Sequence, residues 1–142
     1  MVLVAAIDDS DQTEAVLSEA NRLADDLDTS VHAVHVVSRA DLSSIAETAV
    51  EGQELVENAE VQDIGRDIVA ERTDAATAES IQTTVRVGDP ATQVVEYASS
   101  VDARYVVVGG RNRSPTGKAL FGSVTQQVLF ESPVPVLSVA VE

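Results

Sequence analysis

Residues 2–10 read VLVAAIDDS, an unbroken aliphatic run that stops at two aspartates and a serine. A run with no polar alternation is typical of a strand buried on both faces, as in parallel sheets. Further strands are predicted at Val31 to Val37, Ile81 to Val87, Arg104 to Val108 and Val136 to Val141. The first run therefore indicates a parallel sheet, to which the later strands would add.

Helical periodicity fills the intervals between these strands. After Ser10 or Asp11, either of which can cap a helix, apolar residues recur at helical spacing as far as Leu27. Residues from about Gln53 to Ala78 alternate acids and arginines with aliphatics, which predicts one long, exposed, amphipathic helix. Two more helices are predicted, one opening at Asp89 with Pro90 in its first turn and one at Gly122-Ser123.

Strand and helix thus alternate four times before a closing strand, and no linker or repeat interrupts residues 1–142. This order predicts one α/β domain, a doubly wound sheet with helices on both faces. Ligands of such sheets bind at the carboxyl ends of the strands, where the strand order reverses. The expected site elements are Asp8-Asp9-Ser10, the end of the second strand, Gly88-Asp89-Pro90 and the loop 109–123.

The charge balance limits the partners. With 24 acidic and 9 basic residues the formal net charge is −15, which argues against nucleic-acid and anionic-membrane surfaces. The composition resembles cytosolic proteins of salt-loving archaea, and the acids form either a hydrated coat or an interaction surface. Val2 to Ile7 is too short for a signal peptide or a membrane span, and cysteine is absent. We therefore expect a cytoplasmic protein with no nucleic-acid or membrane partner.

One stretch departs from this acidity. Residues 109–123 read GGRNRSPTGKALFGS, and no acid occurs between Asp102 and Glu131. Glycines that allow close backbone approach, together with Gly122-Ser123 at a helix N-terminus, favour phosphate. The loop predicts an anion site, in which Arg113 is the best placed cation and Lys118 a solvated neighbour.

Two other motifs fail on their residue types. A Walker A loop laid over 112–119 would place Asn112 at its first glycine and Ala119 at its Mg²⁺-binding hydroxyl. A response-regulator receiver would need a lysine after the fifth strand, and none follows Val136. His32 and His35, three apart on a strand, point to opposite faces and cannot bind one metal together.

The spacing of the loop resembles the universal stress protein motif, which is Gly, two residues, Gly, nine residues, then Gly followed by Ser or Thr. On this chain the positions are Gly109, Asn112 and Gly122-Ser123, with one glycine replaced. Asp8-Asp9-Ser10 resembles the family's Asp-Gly-Ser, and similar features extend to the final PVPVLSV. The resemblance spans nearly the whole chain and implies a five-stranded sheet in the order 3-2-1-4-5.

The resemblance also implies ligands and roles. It implies ATP, or a related AMP or ADP, with Mg²⁺ accompanying the nucleotide, across strands one and four. Asp8, with Ser10 beside it, and Val36 would approach the adenosine. The ribose and phosphates would be surrounded by a second set of positions, namely Gly109, Asn112, Arg113, Gly122, Ser123 and Val124.

Asn112 is the departure that matters for this site. If the family's glycine is needed for a positive φ, Asn is the best substitute and nucleotide binding is preserved. If phosphates touch a bare backbone there, the Asn side chain obstructs them. The cationic loop and the retained Gly122-Ser123 favour the first case.

The resulting hypothesis is a dimeric stress-response regulator that binds an adenine nucleotide. The resemblance implies a homodimer through the last strand, Val136 to Val141, whose exposed edge would otherwise invite aggregation. No catalytic residue and no metal site of its own is predicted, so hydrolysis would be slow at most. The alternative is a nucleotide-free interaction or chaperone-like module on the same fold.

Overall fold

The computed structural model describes residues 1–38, 59–111 and 122–141. It contains strands β1 to β5 at Val2–Ile7, Ser30–Val37, Gln82–Val87, Tyr105–Arg111 and Val136–Val141. The helices described, α1 to α5, are Gln12–Leu27, Ala59–Arg72, Ala75–Ser80, Pro90–Ser100 and Ser123–Glu131. None of these helices is long and apolar enough to cross a membrane.

The strands form one parallel sheet in the order β3-β2-β1-β4-β5, so the predicted fold class and strand order are confirmed. The central strand β1 is the aliphatic run that opens the sequence, and its Leu3, Val4 and Ala5 have no exposed surface. Such complete burial explains why its pattern is continuous rather than alternating.

The two faces of the sheet carry separate aliphatic layers. Leu3 and Ala5 pack with Leu17 of α1 and Ile68 of α2 on one face. Val4 packs with the apolar side of α4 on the other, where Tyr97 also lies. Helices therefore cover both faces, as the alternation of elements predicts.

The single long helix predicted from about Gln53 to Ala78 is wrong in its described part. Helix α2 ends at Arg72, and a new helix begins at Ala75. The Asp74 carboxylate accepts a hydrogen bond from the Thr77 amide, which caps this second start. The helix is not generally exposed either, since Val61 and Val69 are buried against the sheet.

Two predicted helix starts had different outcomes. Asp89 caps α4 through its carboxylate, which accepts the Thr92 amide at 3.1 Å, with Pro90 as the first helical residue. At α1 the N-cap residue is Asp11, but its side chain makes no capping hydrogen bond. The Ser10 hydroxyl donates to Asp8 instead, which ties this loop to the end of β1.

Candidate functional site

A cleft of about 170 Å³ opens at the carboxyl ends of β1 and β4. These neighbouring strands are where the strand order reverses, since the chain runs from β1 outward to β3 and returns to β4. Connections that leave in opposite directions open a crevice at this point of an α/β sheet. The lining residues are Ala6, Ile7, Asp8, Gln12, Thr13, Val16, Val34, Val36, Pro90, Val94, Val108, Gly109, Val124 and Thr125.

The two sides of the cleft differ in polarity. The side formed by β2 and α4 is apolar, with Val34, Val36, Pro90 and Val94. The side formed by the start of α1, the end of β4 and the start of α5 carries Asp8, Gln12, Thr13, Gly109 and Thr125. An apolar surface facing a few polar groups is the usual lining of a small-molecule site.

Asp8 is the charged side chain among these lining residues. Its Oδ1 accepts the Ser10 amide at 2.9 Å and the Ser10 hydroxyl at 2.5 Å, and the Thr13 hydroxyl lies 3.0 Å away. Partial burial by itself would raise the pKa of Asp8, but these hydrogen bonds and the nearby His35 lower it below 3.8 overall. The carboxyl group is therefore ionised at neutral pH.

A salt bridge from α2 holds the loop that bears Asp8. The Arg72 guanidinium donates to the Asp9 carboxylate at 2.6 Å and to the Ser10 carbonyl oxygen at 3.4 Å. The Arg72 side chain is only 17% exposed, whereas that of Asp9 is 77% exposed, so one partner of this salt bridge is packed against the protein. The loop after β1 is fixed from within by Asp8 and from outside by Arg72.

Gly109 is a half-buried residue near the end of β4 and lies beside α1. A Cβ atom there would lie 3.1 Å from the Gln12 Cβ and 3.2 Å from the Val16 Cγ2. The close approach of α1 thus leaves little room for a Cβ atom at this position. Across the cleft mouth the Thr125 hydroxyl donates to the Gly109 carbonyl oxygen at 2.7 Å, which joins α5 to the end of β4.

Gly122 is the N-cap of α5 and differs from Gly109. Its φ of −65° and ψ of 163° are open to any residue, and a Cβ there would meet no atom of residues 1–38, 59–111 or 122–141 within 4 Å. Neither backbone conformation nor described neighbours require a glycine. The first amides of α5 receive no side-chain cap from this position, and a helix start of this kind favours an anion.

The structure brings together most of the predicted site residues. Asp8, Val36, Gly109 and Val124 line the cleft. Ser10 acts on Asp8 rather than lining the cleft. Gly122 and Ser123 precede the lining residue Val124, whereas Asn112, Arg113 and Lys118 lie outside the described residues.

Sequence reasoning missed the polar residues in the first turns of two helices. Gln12 and Thr13 open α1, and Thr125 lies in the first turn of α5. The available signal was positional, because a helix that follows a parallel strand begins at the same sheet edge as the site. Neutral side chains of this kind have no motif of their own, so only that placement could have found them.

The two histidines take separate places. His32 Nδ1 lies 2.8 Å from the Tyr97 hydroxyl on the α4 face, and burial lowers the pKa of His32. His35 Nδ1 donates to the Ile7 carbonyl oxygen at 3.2 Å, and its Cβ borders the α2 side near Gly65. Within the described ranges, no group of three His, Cys, Asp or Glu side chains could hold a metal ion.

Residues 1–140 match the sequence model of the Universal stress protein family. A universal stress protein of Mycolicibacterium smegmatis is 40% identical over 73 residues, which are 51% of this chain and 55% of that protein. The aligned part thus spans about half the length of this relative.

Two solved structures extend the similarity to the whole fold. A universal stress protein from Archaeoglobus fulgidus has a TM-score of 0.67 and 27% identity, with 98% of each chain covered. A universal stress protein in complex with cAMP has a TM-score of 0.69 and 24% identity, covering 100% of this chain and 98% of the other. The similarity to this second structure shows a shared fold.

Proposed function

The chain belongs to the universal stress protein family, and we propose that it binds an adenine nucleotide in the cleft between β1 and β4. We propose ATP as the ligand, with ADP or AMP as related ligands, and a dimeric stress-response regulator as the biological role. The observation that carries the proposal is the position of the cleft at the point of strand reversal, with one apolar and one polar side. A related fold that holds cAMP supports nucleotide binding in general.

The apolar side suits a base. Val34, Val36, Pro90 and Val94 present aliphatic surface on which a flat, weakly hydrated ring gains by leaving water. Asp8 and the polar groups opposite suit the sugar, because an ionised carboxylate accepts hydrogen bonds from hydroxyl groups. The nucleoside would lie with its base toward β2 and its ribose between β1 and β4.

The phosphates would then reach the start of α5. The amides after Gly122, which receive no side-chain cap there, and the positive end of the helix dipole favour an anion, and Ser123 adds an exposed hydroxyl. We place Asn112 and Arg113 of the cationic loop beside the same phosphates as proposed contacts. Mg²⁺ would accompany the phosphates, since phosphate oxygens and water suit this ion.

Binding is favoured over hydrolysis. A general base that activates water works best when its pKa lies near the operating pH, but the pKa of Asp8 is lowered and its Oδ1 already accepts the Ser10 amide. We therefore propose a nucleotide-binding regulator with slow turnover at most. Its proposed place is the cytoplasm.

The first test is a thermal shift in molar KCl, which screens the self-repulsion of a chain with charge −15. A nucleotide that binds only the native state stabilises it by about 2.7 kcal/mol at a concentration one hundred times its Kd. For a domain of this size we expect ATP with Mg²⁺ to raise Tm by about 5–10 °C. AMP and ADP are measured alongside, with GTP as the control for base selectivity.

No rise of Tm with millimolar ATP, ADP or AMP would contradict the proposal. That result would favour the second candidate, a nucleotide-free interaction or chaperone-like module on the same fold.

We also propose a homodimer through β5. Among the described elements, β5 has a neighbour on one side only, which leaves an open sheet edge. Leu137 on this strand is 38% exposed, and Phe130 at the end of α5 is 87% exposed. An aliphatic edge with large apolar neighbours gains from pairing, and a second copy of the strand would supply the missing hydrogen bonds.

Light scattering at micromolar concentration in molar KCl checks this interface. We expect the mass of a dimer for the wild type and of a monomer for Leu137→Lys, because a lysine at a paired edge buries its charge. Leu27→Lys is the matched control, since Leu27 is 39% exposed at the far end of α1. The mass of a monomer for the wild type, or the mass of a dimer for Leu137→Lys, would contradict the proposal.

A further inference from the structure

The cleft contains polar groups that have no hydrogen-bond partner among the residues that the structure describes. Thr13 and Thr125 use their hydroxyls on Asp8 and on the Gly109 carbonyl oxygen. Asp8 engages Oδ1, while its Oδ2 has no hydrogen-bond partner among the described residues. The Gln12 side-chain amide, half-buried in the same wall, likewise makes no hydrogen bond within the described chain.

Gln12 is held in place despite this lack of partners. It is the first residue of α1, and its Cβ packs against the backbone of Gly109 at the end of β4. Its Oε1 lies 3.1 Å from the point where a Cβ on Gly109 would stand, so the amide sits directly over this stretch of β4. A partly desolvated amide without partners is costly, and a bound ligand can remove that cost.

The polarity of the cleft indicates which part of a ligand meets Gln12. The opposite side presents aliphatic side chains, which would contact the base. These are Val34, Val36, Pro90 and Val94. The first amides of α5, which follow Gly122 beside the lining residue Val124, would contact the phosphates. Gln12 and the free oxygen of Asp8 lie on the polar side between these regions, where a ribose would place its hydroxyl groups.

We propose that Gln12 is a specificity residue that hydrogen-bonds a ribose hydroxyl and makes this cleft prefer ribonucleotides to deoxyribonucleotides. The inference rests on the proposed nucleotide binding. An amide suits the task because it can both donate to and accept from a hydroxyl group. A ligand that lacks this hydroxyl leaves Gln12 and Asp8 unpaired, and such loss is how polar sites reject close analogues.

The test compares Kd values for AMP, 2′-deoxy-AMP and 3′-deoxy-AMP by isothermal titration calorimetry in molar KCl. We expect the wild type to bind AMP about three- to tenfold more tightly than at least one deoxy analogue, the value of one hydrogen bond. Gln12→Ala keeps the Cβ atom that packs on Gly109 and should reduce this ratio to about one or two.

Controls separate specificity from packing. Gln127→Ala removes an exposed amide from α5 and should leave the ratio at its wild-type value. Gln12→Glu retains an acceptor for the hydroxyl, so it should retain a preference for AMP while binding all three nucleotides more weakly beside Asp8. Melting of each ligand-free variant reports any loss of fold.

The outcomes distinguish a failure of the proposed nucleotide binding from a failure of the proposed role of Gln12. A wild type that binds none of the three nucleotides overturns the proposed function itself. A wild type that binds them all, with a ratio that Gln12→Ala does not change, overturns the role of Gln12 and leaves the proposed function standing. Equal weakening of all three ligands in Gln12→Ala has the same meaning, because it shows packing without discrimination.

Discussion

Gly122→Val is expected to abolish adenine nucleotide binding, with a loss of affinity of at least about a hundredfold, while the protein stays folded. The Val side chain would project before the first amides of α5, where no atom of the described residues lies within 4 Å of the Cβ position and the phosphates are proposed to lie. It would keep phosphate oxygens beyond hydrogen-bonding distance of those amides. Calorimetric titration with ATP and Mg²⁺ measures the loss, and the far-UV spectrum reports the fold.

The backbone explains why the fold should survive. Gly122 has φ and ψ angles open to any residue, and its Cβ position contacts no described atom within 4 Å. A β-branched residue is a poor N-cap, so a loss of about 0.5–1 kcal/mol in the free energy of unfolding is expected from α5. Such a loss is far too small to unfold an ordinary domain.

Two further variants sharpen the result. Gly122→Ala adds one carbon and should weaken ATP binding less than Val does, which gives a graded steric series. Gly122→Asp should cap α5 and preserve the melting temperature, yet repel phosphate from the same amides. Full ATP affinity in Gly122→Val would place the phosphates elsewhere and would remove α5 from the proposed site.

The sequence predicts the sheet well because burial leaves a direct mark on it. The run from Val2 to Ile7 is continuous since both of its faces are covered, and its burial in the centre of the sheet follows. Helix boundaries are harder to predict from the sequence. The break at Thr73-Asp74 arises from a local cap, and that competes with a periodicity that continues through it.

The sequence predicts only those site residues that are charged or are glycines in a recognisable motif. Asp8 and Gly109 stand out by motif, but Gln12 and Thr125 are neutral side chains whose roles depend on three-dimensional neighbours. Gly109 also shows that one residue can have both a binding role and a packing role. Its motif position indicates a ligand, whereas the structure adds contact with α1, which no spacing in the sequence reveals.

Gly65 in the core is a second glycine whose packing contacts are not evident from the sequence. Its substitution has the largest expected effect on stability. It lies in α2, where a glycine normally costs about 1 kcal/mol relative to alanine. The reason for its presence is close packing on β3. A Cβ there would stand 2.8 Å from Thr83 Cγ2 and 2.8 Å from Val85 Cγ2, and both are β-branched side chains with restricted rotamers, the first half-buried and the second buried.

Gly65→Leu should therefore lower the free energy of unfolding by about 2–3 kcal/mol, because the leucine must push α2 away from the sheet. For a domain of this size the melting temperature should fall by about 4–12 °C in molar KCl. Gly65→Ala should lose less, since the gain in helix propensity offsets part of the overlap. Thermal and denaturant unfolding monitored by circular dichroism measure both losses.

Asp67→Leu is the control, because it introduces the same side chain at an exposed position of the same helix. It should change the free energy of unfolding by about 0.5 kcal/mol or less. Adding Val85→Ala to Gly65→Ala removes one of the two clashing atoms and should cost less than the sum of the single changes, since the residues share one contact. Strict additivity, or a Gly65→Leu protein that melts with the wild type, would show that α2 does not rest on β3 through this glycine.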